Sequence, residues 1–418
     1  MRYRKFLSIG LTVLLGFCIS SILNRNLYAQ STAAEKPKIR DFGSSLKKIK
    51  NKRKDNSRDD KKQNQTADEE TIRIKTDLVV SDVLVVNQKG NAILGLKQSD
   101  FVVTEDGMPQ EISIFSFGEN ATVPRSIVLI IDYSTSLLPY IKNSIQAAKL
   151  LVDKLNPQDR IAIVTDDVEL LLDFTKDKTL LKKTLNSLEE KTLSIRNGGD
   201  SKQFSALLAV LNEMFDEEDI RPIVIFQTDG DEIGLLKSDD DTVPLTKEAR
   251  ELLKRFNKRD FGFSDIKKAI EKSRATIYSI IPGIRFTGFS KQERLARAKI
   301  SLENLFKENF RMRDNIQIEN LVTKSQAIEA EDRLALQTAV FRVAELSGGY
   351  TDYIEKPEDA ENVYSTIFTV IDNRYVIGYY PTNQERNGKR RNVKIEVRNH
   401  PEYLVMGRKT YFAPEDKD

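Results

Sequence analysis

The sequence has few of the side chains on which many enzymes and disulfide-rich extracellular proteins depend. Its 418 residues include one cysteine, one histidine and no tryptophan. The lone Cys18 cannot form an intrachain disulfide. A serine or cysteine nucleophile with a histidine base would have to use His400, which lies near the end of the chain, and we expect it to be an ordinary surface residue. The lack of tryptophan also removes the commonest side chain for stacking against sugars.

Acidic side chains do not supply a convincing catalytic pair either. Asp166 and Asp167 are adjacent, as are the three acids at 239–241, and glycosidase-like chemistry would need such pairs. Because 31% of the residues are charged, neighbouring acids are expected by chance. A hydrolase that uses a metal-bound water is the enzyme alternative. We predict that the protein is not an enzyme.

The first 29 residues are typical of an export signal. Basic residues at positions 2, 4 and 5 precede an apolar run over 6–23, and a possible cleavage point follows Ala29. Leu27 is larger than the small residue expected there, so an uncleaved membrane anchor at 1–29 is the alternative to a signal peptide. In both cases the sequence predicts an exported protein that is periplasmic, held at the cell surface or secreted.

Charge is balanced once this segment is set aside. It carries four of the 66 basic residues and none of the 63 acidic ones, so the rest of the chain is close to neutral. A basic field that would gather nucleic acid is therefore absent. Residues 30–70 are polar and highly charged, and we expect a disordered linker. This linker is either a solvated spacer or a tether that touches anionic envelope polymers or lipid.

Short segments with alternating apolar residues flank the middle of the chain. They occur over 71–120, separated by turns with glycine and aspartate, and again over 385–418. The first set has too few strands to close a β-sandwich. We therefore expect the two sets to form one small β-sandwich, with residues 121–384 inserted between them as a second domain.

The middle of the chain alternates between strand and helix patterns. Apolar segments at 127–131 and 223–227 indicate strands buried on both faces, and further strands are predicted at 161–165, 168–174, 275–282 and 374–381. This alternation predicts an α/β fold with a doubly wound, mainly parallel sheet. Charged stretches at 237–273 and 285–330 interrupt the pattern. We interpret them as helical insertions that act as a lid, as an interaction arm or as decoration.

Polar side chains follow the first buried strand. Asp132 comes directly after it, and Ser134 and Ser136 follow at alternate positions, so one carboxylate and two hydroxyls can converge beyond the strand. Ligands bind at this edge of open α/β sheets. Oxygen donors without sulfur or imidazole favour Mg²⁺ or Mn²⁺. The alternative is structural: Asp132 caps a helix that begins near Leu137, and the serines bond to turn amides.

These residues resemble the metal-ion-dependent adhesion site of the von Willebrand factor type A domain. In that family an Asp-x-Ser-x-Ser loop is joined by a threonine and an aspartate from two other loops. Asp132, Ser134 and Ser136 match the first loop, and Asp229 matches the second acid, because it follows a buried strand and precedes a glycine. The resemblance implies that these side chains hold a divalent cation.

The threonine of the family has no identical counterpart here. The segment DSKQFSALLAVL aligns Ser201 with it, and Asp200 beside Ser201 is an alternative ligand. The segments at 101–118, 346–367 and 376–383 are also similar to a narrower group of exported bacterial proteins that contain such a domain. That group implies an architecture and a location more than a defined activity.

The resemblance also implies a function in protein binding. Mg²⁺ prefers six oxygen ligands, and this set of side chains leaves a coordination position for the carboxylate of a protein partner. We therefore expect an adhesion-type module that binds an acidic side chain of its partner through the metal. The alternatives are an envelope scaffold protein with a vestigial metal site and the metal-assisted hydrolase.

Overall fold

The computed structural model describes residues 42–47, 78–117, 123–194, 201–216, 221–237, 258–304 and 315–415. The predicted signal or anchor segment at 1–29 and the alternative ligand Asp200 lie outside the described residues. Most of the predicted linker at 30–70 also lies outside them. Within the described ranges, none of the helices combines the length and the hydropathy that a membrane-spanning segment requires.

Strands and helices are numbered here in chain order. The strands are β1 (Val79–Val86), β2 (Phe101–Glu105), β3 (Met108–Gln110), β4 (Ile112–Phe117), β5 (Arg125–Ile131), β6 (Arg160–Thr165), β7 (Glu169–Thr175), β8 (Arg221–Gln227), β9 (Thr276–Pro282), β10 (Tyr350–Ile354), β11 (Tyr375–Tyr379), β12 (Arg390–Val397), β13 (Leu404–Met406) and β14 (Thr410–Phe412). The helices are α1 (Leu138–Asp153), α2 (Lys178–Ser194), α3 (Gln203–Glu213), α4 (Phe263–Ser273), α5 (Lys291–Asn304), α6 (Asn315–Ser347) and α7 (Ala360–Asp372).

A six-stranded sheet forms the centre of the α/β domain. Its strand order is β10-β9-β8-β5-β6-β7, and every neighbouring pair is parallel except β6 and β7. All seven residues of β5 and all seven of β8 are buried, because helices cover both faces of the sheet. One face packs against α1, α2 and α7, and the other packs against α3, α4 and the end of α6. The predicted doubly wound, mainly parallel sheet is confirmed.

Two four-stranded antiparallel sheets lie outside this domain. Their orders are β13-β1-β11-β4 and β14-β12-β2-β3, so each combines strands from both ends of the described chain. Alternate residues of their strands share one hydrophobic core, to which Val83, Phe101, Ile377 and Val393 contribute. Strands from before and after the α/β domain therefore form a small β-sandwich.

The placement of β11 corrects one sequence prediction. The segment at 374–381 was predicted to be the last strand of the α/β domain, but β11 pairs with β1 and β4 in the sandwich. Its backbone comes close to β4 at Gly378, where an added Cβ would lie 3.0 Å from Ile114. Tyr375 and Ile377 point into the sandwich core. The domain boundary predicted near residue 384 therefore lies before Tyr375.

The two predicted insertions also differ from expectation. Within 237–273, α4 is an ordinary crossover helix whose residues Phe263, Ile266 and Ile270 pack against the central sheet. The second stretch forms a hairpin of α5 and the first half of α6, which has its own small core around Phe286. The 33 residues of α6 give it a length of about 50 Å. The second half of α6 continues beyond the predicted insertion and ends at Ser347.

A short part of the predicted linker is ordered. Phe42 and Leu46 pack against the core on the α3 side of the sheet. The backbone amides of Gly43 and Ser45 donate to the carboxylate of Glu213 at 2.8 and 2.7 Å. Residues 42–47 therefore depart from the predicted disorder, because two apolar side chains and two amide donors find partners on the α/β domain.

Two buried arginines join the domains. Arg221 at the start of β8 forms an ion pair with Asp82 of β1 at 2.8 Å and also donates to the carbonyl of Ile371. Arg374 donates to the carbonyls of Asp82 and Gly348 at 3.1 and 2.6 Å. Because these charged groups are buried and bonded across the junction, the sandwich is held firmly against the end of the sheet at which β8 begins.

Candidate metal centre

The loop after β5 begins with a fully buried carboxylate. Oδ1 of Asp132 accepts a 3.0 Å hydrogen bond from the backbone amide of Ser134. Oδ2 accepts 2.9 Å hydrogen bonds from the hydroxyl of Thr228 and from the side-chain amide of Gln203. These donors come from the ends of β5 and β8 and from the start of α3. Asp132 therefore joins three separate segments at the carboxyl edge of the sheet.

Three further side chains form a continuous chain of polar contacts beside it. The hydroxyl oxygens of Ser134 and Ser136 lie 3.2 Å apart. The hydroxyl of Ser136 donates to Oδ2 of Asp229 at 2.7 Å. The strand order changes direction between β5 and β8, which is the position where ligands bind in doubly wound sheets. The structure thus brings Asp132, Ser134, Ser136 and Asp229 together at the switch point.

The loop after β8 is shaped by a glycine. Gly230 has a φ of 82°, and an added Cβ would lie 2.8 Å from the side chain of Val340 and 3.2 Å from the carbonyl oxygen of Leu336 on α6. A residue with a side chain would therefore be strained and would collide with α6. Oδ1 of the preceding Asp229 accepts a 3.3 Å hydrogen bond from the amide of Asp231. The close approach of α6 fixes the loop that carries Asp229.

Ser201 is linked to the centre by a hydrogen bond from its backbone amide. Its amide donates to Oδ2 of Asp166 at 3.0 Å, and its φ of 49° is uncommon for a residue with a side chain. The other oxygen of Asp166 accepts a 3.1 Å hydrogen bond from the amide of Tyr133. Asp166 thus connects the first loop to the segment that carries Ser201.

Sequence reasoning did not identify Asp166, Gln203 or Thr228 as parts of the centre. Thr228 directly precedes Asp229 at the end of a buried strand, so its position offered a signal. Asp166 was noted only as one of two adjacent acids, although it follows β6, the parallel neighbour of β5. Gln203 stands between Lys202 and Phe204 without any recognisable pattern. Its role depends on a contact across 71 residues of sequence.

The alternative structural role of Asp132 is only partly correct. A short 3-10 helix covers Thr135–Leu137, and α1 follows it directly. Neither has a side-chain hydrogen bond from its N-cap residue, so Asp132 is not a helix cap. Its bond to the Ser134 amide is a turn interaction of the expected kind. The bonds to Thr228 and Gln203 lie outside that interpretation.

Negative charge in the centre is not balanced by basic side chains. Within the described ranges, no ion pair includes Asp132, Asp166 or Asp229. Burial and the nearby charge of Asp229 raise the pKa of Asp132 to about 7. Burial and the charge of Asp132 also raise the pKa of Asp166 well above its ordinary value. Among the described residues, no basic side chain therefore offsets the charge of these acids when they are ionised.

The donor set fits a hard divalent cation. It consists of carboxylate and hydroxyl oxygens, which are the ligands preferred by Mg²⁺ and Mn²⁺. The described ranges contain no group of three or more acidic, histidine or cysteine side chains arranged to hold a metal. A cation at this position would therefore depend on the hydroxyls of Ser134 and Ser136 as well as on Asp229. Both oxygens of Asp132 already accept hydrogen bonds, so a bridging water would suit its contribution.

A protein-family model matches the part of the chain that contains these residues. Residues 127–232 match the model of the von Willebrand factor type A domain, a range that begins in β5 and ends just after the Asp229 loop. The match therefore includes all five predicted ligands. A comparison of the sequence with curated proteins found no match.

Three solved structures that align with part of this chain come from bacteria. The conserved hypothetical protein BatB from Bacteroides thetaiotaomicron is 16% identical, with 60% of this chain and 98% of that chain covered and a TM-score of 0.30. An aerotolerance-related membrane protein from Bacteroides fragilis is 15% identical, with 60% and 98% covered and a TM-score of 0.31. The vWF domain of the type V pili tip protein Mfa5 from Porphyromonas gingivalis is 14% identical, with 60% and 96% covered and a TM-score of 0.33.

Proposed function

Because residues 127–232 match the model of the von Willebrand factor type A domain, we propose that this chain is an exported, divalent-metal-dependent protein-binding module. The metal is Mg²⁺ or Mn²⁺, and its ligands are Asp132, Ser134, Ser136, Ser201 and Asp229. The partner is a protein that supplies an acidic side chain. The proposal concerns recognition and involves no catalysis.

One observation carries the metal assignment. The hydroxyl of Ser136 lies 2.7 Å from Oδ2 of Asp229, although the two residues are 93 positions apart in the sequence. Two hydroxyls and a carboxylate therefore share a small volume at the sheet edge, beside the buried carboxylate of Asp132. A buried carboxylate is costly unless a cation or several donors compensate it. The donors to Asp132 are neutral, so a dication bound among these oxygens would balance its charge.

An outside carboxylate completes the proposed site. Mg²⁺ takes six oxygens in near-octahedral geometry and retains waters when a protein offers fewer. Ser134, Ser136 and Asp229 supply three oxygens, while Asp132 and Ser201 complete the set directly or through water. At least one coordination position then remains for a further oxygen. A carboxylate is the side chain whose charge and hard oxygens suit that position.

Export and partner class follow from the sequence. The basic start and apolar run within residues 1–29 support export to the periplasm, to the cell surface or into the medium. The near-neutral chain after residue 29 supports a protein partner over nucleic acid. The charged residues of 30–70 would make the contact with anionic envelope polymers or lipid.

Water relaxation on bound Mn²⁺ tests the open coordination position. The relaxation rate of water protons rises when Mn²⁺ binds a protein and keeps exchangeable waters. We expect acetate to lower this enhancement by displacing water from the metal, while the neutral isostere acetamide leaves it unchanged. The same titrations on Asp132→Ala serve as the control, because that variant should not bind Mn²⁺.

Two results would count against the proposal. If wild-type protein and Asp132→Ala raise the relaxation rate equally, the metal is bound elsewhere or not at all. If Mn²⁺ binds at the wild-type site but acetate and acetamide act alike, no position is open to a carboxylate. The first result would favour an envelope scaffold role with a vestigial site, and the second would remove the acidic partner alone.

A further inference from the structure

We infer that Asp166 is a positioning residue that holds the loop bearing Ser201 against the first loop of the metal centre. This inference rests on the proposed function, since it concerns how the Ser201 hydroxyl reaches the metal. Asp166 is not among the predicted ligands. Its role follows from the backbone groups that it bonds.

Asp166 makes four hydrogen bonds, one to the end of β5 and three to the two loops. Its carboxylate accepts from the amides of Tyr133 and Ser201 at 3.1 and 3.0 Å. Its own amide donates to the carbonyl of Ile131 at 3.2 Å, and its carbonyl accepts from the amide of Lys202 at 3.0 Å. One buried residue at the end of β6 is thus bonded to both sides of the metal centre. Each hydrogen bond to Ser201 or Lys202 restricts the movement of the loop that carries Ser201.

The conformation of Ser201 explains why such a restraint is needed. A φ of 49° lies in the left-handed region, which serine adopts only when its surroundings impose it. The hydrogen bond from the Ser201 amide to the carboxylate of Asp166 fixes the backbone of Ser201. The direction of its hydroxyl therefore depends on Asp166.

The carboxylate of Asp166 bonds the backbone of both loops at once. Each of its two oxygens already accepts a backbone amide, one from each loop. Asp167 provides a contrast. It bonds the hydroxyls of Tyr133 and Thr165 and makes no bond to the second loop in the described part of the chain. Two adjacent acids thus have different contacts, and this difference makes the role of Asp166 testable.

A double-mutant cycle on Mn²⁺ affinity tests the inference. The proteins are the wild type, Asp166→Asn, Ser201→Ala and the double variant, with Asp167→Asn as the control for loss of charge. We expect Asp166→Asn to weaken Mn²⁺ binding by about 10- to 100-fold, as is typical for residues that orient metal ligands. Asp167→Asn should cause a much smaller loss. Once Ser201 is alanine, replacing Asp166 should add no more than the charge control does.

Backbone exchange provides a readout that does not need the metal. In metal-free protein, the amides of Ser201 and Lys202 should exchange with deuterium faster in Asp166→Asn than in the wild type or in Asp167→Asn. Asp166→Glu is a second variant in case the asparagine variant folds poorly. It keeps the charge and displaces the carboxylate by one methylene, so it should also weaken Mn²⁺ binding.

The outcomes separate this inference from the proposed function. A wild-type protein that binds no Mn²⁺ overturns the metal site, and faster exchange in Asp166→Asn would then leave Asp166 with a structural role only. Normal Mn²⁺ binding by the wild type with unchanged exchange and equal affinity in both Asp166 variants overturns the positioning role alone. Fully additive losses in the cycle would show that Asp166 does not act through Ser201.

Discussion

The hydroxyl of Thr228 donates a 2.9 Å hydrogen bond to Oδ2 of Asp132 and thereby joins the ends of the two central strands, β5 and β8. Thr228 and Asp132 are both fully buried. The bond solvates a carboxylate with a neutral donor, and the second donor to the same oxygen, Gln203, is also neutral. The position of the charge is therefore fixed by the fold while the charge itself is left for a cation to balance.

Stability should depend on pH through Asp132. Its pKa rises from 3.8 in the unfolded chain to about 7 in the folded, metal-free protein, because burial and Asp229 disfavour the ionised form. A raised folded pKa means that this contribution to stability is present below pH 4 and is lost as the pH rises towards 7. The loss is on the order of 4 kcal/mol. We expect the Asp132→Asn variant to lack this pH-dependent loss of stability.

Urea denaturation at pH 4.5 and pH 7.5, with and without Mg²⁺, measures this effect. The wild type without metal should lose more unfolding free energy between these pH values than Asp132→Asn. Saturating Mg²⁺ should restore the wild type at pH 7.5, because a cation favours the ionised carboxylate. Identical pH profiles for the two proteins without metal would show that Asp132 is not a buried, uncompensated acid.

Gly230→Ala should destabilise the fold and weaken metal binding. Both the φ of 82° and the contact with Val340 and Leu336 oppose a side chain at this position. Gly90→Ala is the matched control, since Gly90 has the same φ of 82° but no atom within 4 Å of an added Cβ. Each variant should lose about 1–2 kcal/mol through backbone strain. Only Gly230→Ala should lose a further unfolding free energy of about 1–3 kcal/mol through overpacking.

Chemical denaturation and Mn²⁺ titration of these two alanine variants test that difference. Gly230→Ala should also bind Mn²⁺ more weakly, because the displaced loop carries Asp229. Equal stability losses in the two variants would mean that α6 does not press on the loop at Gly230.

Sequence patterns identified the framework of the molecule because burial leaves a local signature. The aliphatic residues of β5 and the apolar residues of β8 predicted central strands, and the loop after each strand carries the acid that the sequence singled out. Strand partners are harder to infer, because the apolar residues of β11 fit either sheet equally well. Only the pairing with β1 and β4, strands nearly 300 and 260 positions earlier, roughly, decides its place.

The residues of the candidate metal centre also divide into those that the sequence could predict and those that it could not. Asp132, Ser134, Ser136 and Asp229 could be predicted, because each follows a recognisable strand. Gln203 could not, because its bond to Asp132 depends on how α3 packs beneath the sheet edge. The charged composition of 237–273 suggested an excursion from the fold and concealed α4. Its apolar residues are spaced along one face, and that face covers the sheet.

The ion pair between Arg221 and Asp82 should be important for joining the two domains. Their side chains are only 3% and 4% exposed, so removal of one partner leaves an uncompensated buried charge. We expect Asp82→Ala to reduce the unfolding free energy by about 3–5 kcal/mol. The pair Lys394 and Glu396 is the control, because their side chains are 67% and 51% exposed. Glu396→Ala should change stability little.

Chemical denaturation followed by both far-ultraviolet circular dichroism and tyrosine fluorescence measures this prediction. A loss in Asp82→Ala no larger than that in Glu396→Ala would show that the junction does not depend on the Arg221 pair.

Isothermal titration of Mg²⁺ and Mn²⁺ into the protein without residues 1–29, and into the same protein carrying Asp132→Ala, is the most direct test of the metal centre. The account predicts a single-site binding heat for the first protein and none for the variant. Circular dichroism before the titration should show that both proteins are folded. Equal heats from the two proteins, or no heat from either, would contradict the assignment of a metal to Asp132, Ser134, Ser136, Ser201 and Asp229.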